Sequence, residues 1–167
     1  MKKIFLIIVL CNSVFVKAQQ EVKIDIADAI VLKSLEFYYE YYISEQSSLG
    51  ISAMFNFEKK NSDLRYNEKK LFAPYFRHYF TSNYNWNHFG EVFLGLNTGE
   101  KEIENSSGNS VFKKYTDAAL GIAVGTKYIS NGGFVLEAYL GLGRNMFSPN
   151  SYAIIPRLGI NIGYRFQ

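Results

Sequence analysis

An all-β fold, an eight-stranded antiparallel up-and-down transmembrane β-barrel preceded by a signal peptide, is what the 167-residue sequence predicts from three observations. Eight segments alternate apolar and polar residues with period two. The charges of those segments fall almost entirely on one phase. Short connections also alternate with long polar ones.

The alternation is the strongest of the three. Successive side chains of a strand point to opposite faces, so period two gives one apolar and one polar face. The last segment, "RLGINIGYRFQ", puts Leu158, Ile160, Ile162, Tyr164 and Phe166 on one side and Arg157, Gly159, Asn161, Gly163 and Arg165 on the other. "LEFYYEYYI" (35–43) sets Leu35, Phe37, Tyr39, Tyr41 and Ile43 against Glu36, Tyr38, Glu40 and Tyr42. The same rule holds in "SLGISAMFNFE" (48–58), "LFAPYFRHYF" (71–80), "WNHFGEVFLGLN" (86–97), "YTDAALGIAVGTKY" (115–128) and "FVLEAYLGLGR" (134–144). "VKIDIADAI" (22–30) is the eighth segment, although residues 27–32 read equally well as a short helix.

The charge phase decides which face points where. Glu36, Glu40, Arg77, Glu91, Asp117, Lys127, Glu137, Arg157 and Arg165 all lie opposite the apolar set. Burying nine such groups in a soluble sandwich would be prohibitive, whereas the polar interior of a membrane barrel can pair them. An eight-stranded barrel is just filled by its side chains, so these residues are expected to form a structural, salt-bridged plug with no general pore. Segments of this length suffice for a tilted crossing.

Connections give an independent test. Those around 44–47, 81–85 and 130–132 are short, while 59–70, 98–112 and 145–153 are long and rich in Asn, Ser, Lys and Glu. Outer-membrane barrels have short periplasmic turns and long external loops. The connection at 32–34 is the exception in being short. Tyr39, Tyr41, Phe80, Trp86, Tyr128, Tyr164 and Phe166 fall toward strand ends, where aromatic girdles belong. Pro74 and Pro156 are expected near strand beginnings, where a missing ladder donor costs least.

Residues 1–18, "MKKIFLIIVLCNSVFVKA", have the basic start, apolar middle and small-residue end of a secretory signal peptide, so residues 19–167 form the expected barrel domain. A lipoprotein signal at Cys11 fits less well, because Leu10 before it is bulky. The leader carries Lys2, Lys3 and Lys17 and no acid, so 18 basic against 15 acidic residues become 15 against 15 after its removal. No clustered basic face remains for nucleic acid. Cys11 is the single cysteine and leaves with the leader, which excludes a disulfide framework. The expected route is export through the periplasm to the outer membrane.

The ending "GINIGYRFQ" resembles the closing strand of small bacterial outer-membrane barrels, whose terminal aromatic the assembly machinery reads. The resemblance gives that role to Tyr164 and Phe166, with Gln167 as a departure. More broadly, residues 22–166, with "YEYYISEQSSLGIS", "NTGEKE" and "GYRF", are similar to an uncharacterised family of eight-stranded barrels from Gram-negative bacteria of the Bacteroidota type. That resemblance implies a location and supplies no activity.

No catalytic set, cofactor or metal site is read from the sequence. His78 and His88, the two histidines, share the lipid-facing phase near the turn around Asn83, where they are expected to be cross-strand neighbours. No serine stands two positions from either, and two ligands do not make a metal site. Expected partners are outer-membrane lipid, lipopolysaccharide and the assembly machinery, with an external partner unspecified. Three functions compete: a structural or surface-interaction barrel, a lipid-modifying enzyme using His78 or His88, and a soluble periplasmic barrel holding a lipophilic ligand.

Overall fold

A computed structural model describes residues 19–57, 68–81, 85–104 and 110–166. The leader expectation for residues 1–18 and most of the 59–70 connection lie outside the described residues. Eight strands occur in chain order: β1 (Gln20–Asp25), β2 (Ser34–Ser44), β3 (Ser47–Asn56), β4 (Glu68–Tyr79), β5 (Trp86–Glu104), β6 (Ser110–Ile129), β7 (Phe134–Asn145) and β8 (Ile154–Phe166). Each pairs antiparallel with the next, and β1 closes against β8, with Gln20 opposite Phe166 and Asp25 opposite Asn161. A closed up-and-down barrel has no unpaired sheet edge.

The period-two pattern becomes an inside-out cylinder. Ile122, Leu140 and Leu158 on the outside are 67%, 64% and 61% exposed, and Phe37, Ile51, Phe76 and Val92 share that face. Glu21, Glu40 and Lys127, on the inward phase, are fully buried. So are the aromatics Tyr38, Tyr75, Tyr79, Phe89, Phe93 and Tyr139. A soluble protein rarely exposes contiguous apolar surface on this scale.

Glycine in the inward phase makes room for these rings. Phe89 stands opposite Gly125 and Phe93 opposite Gly121 across the β5–β6 ladder. A Cβ on Gly121 would overlap the Phe93 ring and lie 2.6 Å from the Leu142 carbonyl oxygen. Glycine lets the ring lie flat on the neighbouring backbone, which a cylinder this narrow requires.

Four expectations change. The eighth segment is shorter than its pattern: β1 stops at Asp25 and a π-helical turn, Asp28–Leu32, follows, ended by Lys33 in the left-handed region (φ 51°). The stretch 98–112, expected as a loop for its polar composition, is mostly strand, because β5 runs to Glu104 and β6 starts at Ser110. Pro74 sits inside β4, opposite Ile51, and β4 pairs with β5 at Phe72 and Tyr75, on either side of the missing donor. His78 and His88 are not direct partners: Gly90 stands opposite His78, and the Phe80 amide donates to the His88 carbonyl.

Gly121→Val is expected to lower the stability of the refolded barrel by roughly 1–3 kcal/mol, the usual cost of overpacking. Gly132→Val, in the open β6–β7 turn, is the control that leaves it unchanged. Urea unfolding in detergent, followed through the single tryptophan, Trp86, measures both.

Candidate functional site

The lumen is the polar site of the protein, and one continuous chain of ion pairs fills it. Nearest the termini, Arg165 on β8 pairs with Glu21 on β1, and the Glu21 carboxylate accepts a 2.7 Å bond from Lys127 Nζ on β6. Lys127 also reaches Glu40 on β2 at 2.9 Å. At mid-height, Lys23 Nζ lies 2.6 Å from Glu40 and 2.7 Å from Glu137 on β7. Arg77 on β4 spans three carboxylates: Nη1 meets Glu137 at 2.7 Å and Glu40 at 3.1 Å, while Nη2 meets Glu91 on β5 at 2.6 Å. Toward the loop end, Arg157 on β8 bridges Glu91 at 3.3 Å and Glu36 on β2 at 3.1 Å.

Rings sandwich these charges. The Arg77 guanidinium stands 3.8 Å from the Phe89 ring centroid and that of Arg157 stands 4.7 Å from Phe93, distances at which cation–π attraction adds to the ion pairs. The Tyr38 and Tyr139 hydroxyls bond each other at 2.7 Å. Five carboxylates (Glu21, Glu36, Glu40, Glu91, Glu137) thus meet five cations (Lys23, Arg77, Lys127, Arg157, Arg165).

Eight of the nine charged residues singled out from the sequence lie in this chain. Asp117 is buried but does another job: it accepts from the amides of Ala118, Phe147 and Ser148 and from the Ser151 hydroxyl, anchoring the β7–β8 connection. Sequence reasoning missed Glu21, Lys23, Asp25 and Asp28. The first three alternate with Val22, Ile24 and Ile26, so the signal that found the others was present here too.

Asp25 and Asp28 stand outside the balanced set. Together with Glu36 they place three carboxylate oxygens within 4.8 Å of one another at the loop-side end of the lumen. Asp25 Oδ1 accepts from the amides of Asp28 and Ile160, while Oδ2 is buried without a partner. Burial first, then the Asp25 and Glu36 charges, push the Asp28 carboxyl up to about 7. A cavity of about 160 Å³ adjoins, lined by Asp28, Glu36, Met54, Leu71, Tyr139 and Arg157.

On the outer face the structure makes one contact that sequence spacing does not show. Ser47 Oγ lies 3.2 Å from His78 Nδ1 across β3–β4, both near the turn end. Neither histidine belongs to the carboxylate cluster, the one group of three metal-capable side chains among the described residues.

Arg77→Gln leaves three buried carboxylates short of their cation, so the barrel should lose roughly 3–5 kcal/mol in urea unfolding. Lys69→Gln, which removes the half-exposed partner of buried Glu100 at 3.3 Å, should cost less than Arg77→Gln.

Comparison with solved structures finds similar barrels, among them the following three. The N-terminal β-barrel domain of Pseudomonas aeruginosa OprF matches with TM-score 0.62 at 13% identity, over 89% of this chain and 96% of that one. Ail, the attachment invasion locus protein of Yersinia pestis, matches with TM-score 0.55 at 12% identity, over 90% and 100%. Neisserial surface protein A matches with TM-score 0.54 at 14% identity, over 89% and 96%. These likenesses show the fold. A search of the curated proteins gives no match. The model of one family, described as a protein of unknown function (DUF3575), covers residues 4–165, and the chain belongs to that family.

Proposed function

We propose that the protein is an outer-membrane β-barrel with a plugged lumen and a structural or surface-interaction role, residues 1–18 being removed on export. The observation that carries this reading is the exterior: strand after strand presents aliphatic and aromatic side chains outward while ionised groups converge inside. Only a closed barrel can cross hydrocarbon with strands, since every backbone donor and acceptor must be paired. The turn end also carries a belt of rings, with Trp86 against Tyr128 at 5.1 Å, Tyr164 against Phe166 at 5.1 Å, and exposed Phe80. Tyr and Trp favour the membrane–water boundary. The barrel likeness to OprF, neisserial surface protein A and Ail supports the same placement.

A soluble carrier of a lipophilic ligand would need the apolar face turned inward, opposite to the arrangement of these strands. The surface role draws on the β5–β6 hairpin. Among the described residues, Glu100–Glu104 of β5 and Ser110–Lys114 of β6 pair only with one another, because β4 is last paired at Gly99 and β7 first at Ala119. That hairpin extends past the paired barrel wall on the loop side, with Lys101 donating to the Ser151 carbonyl of the β7–β8 connection at 3.1 Å, and an external partner or lipopolysaccharide would meet it there. Exposed Tyr164 and Phe166 supply the C-terminal assembly signal, and the resemblance of "GYRF" supports a Bacteroidota-type source.

The Ser47–His78 contact favours a second reading, a lipid-modifying enzyme acting at the barrel surface. Nucleophile and base within hydrogen-bond reach are its minimum requirement.

Three measurements separate these readings. Under the first, the processed chain sediments with outer membranes and migrates faster unheated than boiled in detergent gels; recovery as a water-soluble monomer overturns it. Tyr164→Ala/Phe166→Ala should reduce the amount assembled in cells several-fold while refolding in detergent stays unchanged. His78→Ala should leave membrane lipid composition as in the wild type, and a changed profile with an intact barrel would favour the enzyme.

A further inference from the structure

The lumen's charge is balanced along most of its length and unbalanced at one place. Every cation of the ion-pair chain is already engaged by Glu21, Glu36, Glu40, Glu91 or Glu137. Among the described residues Asp25 and Asp28 have no ion-pair partner, and Arg157 on β8 is held by Glu36 and Glu91. Two buried carboxylates lacking an ion-pair partner are costly beside a third.

The surroundings are those of a ligand site. Ser34 is 1% exposed, and its hydroxyl stands beside the Asp28 carboxyl. Asp25 Oδ2 is buried and, among the described residues, unpartnered. It lies against Gly159, where any side chain would overlap it, so the close approach of β8 is built for that carboxylate. The adjoining cavity leaves room for water to complete a coordination shell.

We propose that Asp25, Asp28, Glu36 and the Ser34 hydroxyl form a binding site for a hard divalent cation of calcium size in the loop-side mouth of the barrel. Oxygen-only donors select hard cations over thiolate- or imidazole-seeking metals. Three protein carboxylates within 4.8 Å of one another and a hydroxyl beside them suit calcium, which takes many protein oxygens in flexible geometry, better than magnesium, which is usually held by one or two carboxylates and keeps its waters. The ion would supply the two positive charges the mouth lacks. It would also tie the turn after β1 to the start of β2, cross-linking consecutive elements at the rim.

The full-length processed chain, refolded in detergent and stripped with chelator, tests the site with Ca²⁺, Mg²⁺ and Tb³⁺ as probes. Ca²⁺ should bind one per chain and raise the thermal midpoint of the barrel. Tb³⁺ should bind competitively with Ca²⁺ and luminesce on excitation of tyrosine, since Tyr139 lines the same cavity. Asp25→Asn/Asp28→Asn removes the surplus charges without enlarging any side chain, so the barrel should fold and Ca²⁺ affinity should fall at least tenfold. Ser34→Ala, with the carboxylates retained, should weaken binding several-fold. Equal midpoints in Ca²⁺ and chelator with no saturable one-to-one binding would overturn the site. So would wild-type affinity in Asp25→Asn/Asp28→Asn, which would place the ion elsewhere, or binding of Mg²⁺ in preference to Ca²⁺.

Discussion

Ten ionised side chains share the inside of an eight-stranded cylinder, and each has an opposite charge within 3.3 Å. Everything else about the barrel follows from having to place them there. Burial of so many charges costs several kcal/mol per ion unless each is paired and its remaining donors and acceptors are used. The arrangement meets that condition by sharing. Arg77 divides its guanidinium among Glu40, Glu91 and Glu137, and the Tyr42 and Tyr79 hydroxyls bond both Lys127 and the carboxylates beside it. No single pair is independent, so the plug behaves as one unit and fixes the register of every strand that contributes to it.

Packing is subordinate to the same demand. Long side chains and rings fill the axis, so the wall must be thin where they lie against it. Gly121 and Gly125 provide that under Phe93 and Phe89, and those rings in turn flank the guanidinia of Arg157 and Arg77. Outside, no such constraint acts. There the residues need only be apolar and β-branched or aromatic, which Ile51, Val92, Ile122 and Val124 are.

Much of this was legible in the sequence because a strand's side-chain period is two and a one-residue shift would exchange the faces. Fixing the phase of "LEFYYEYYI" or "RLGINIGYRFQ" fixes which residues meet at the axis, even with their partners 121 residues away, as Arg157 is from Glu36. Three features were hidden for separate reasons. The charges of β1 were obscured because residues 27–32 carry a helical pattern as well, and a π turn does form there. The outer part of the β5–β6 hairpin is mostly charged or polar, with Ile103, Val111 and Phe112 set among lysines and glutamates, so it lacks the sustained alternation that marks a wall strand. Ser47 meets His78 through the β3–β4 register, and the carboxylates of Asp25, Asp28 and Glu36 meet where a turn folds back over the lumen. Pairing across strands is not written in local spacing.

The distribution of charge along the axis also gives the barrel a direction. At the turn end the plug is tight: Arg165, Glu21, Lys127 and two tyrosines close it with direct bonds. At the loop end the last cation of the column is Arg157, and beside it lie two further carboxylates and a cavity. A small cation held at that mouth would be barred by the salt-bridged column from passing to the turn side. The lumen is thus asymmetric, balanced toward the turn end and carrying two further carboxylates, Asp25 and Asp28, at the loop end. Those carboxylates favour positive charge at the mouth, independent of any contact with the hairpin beside it.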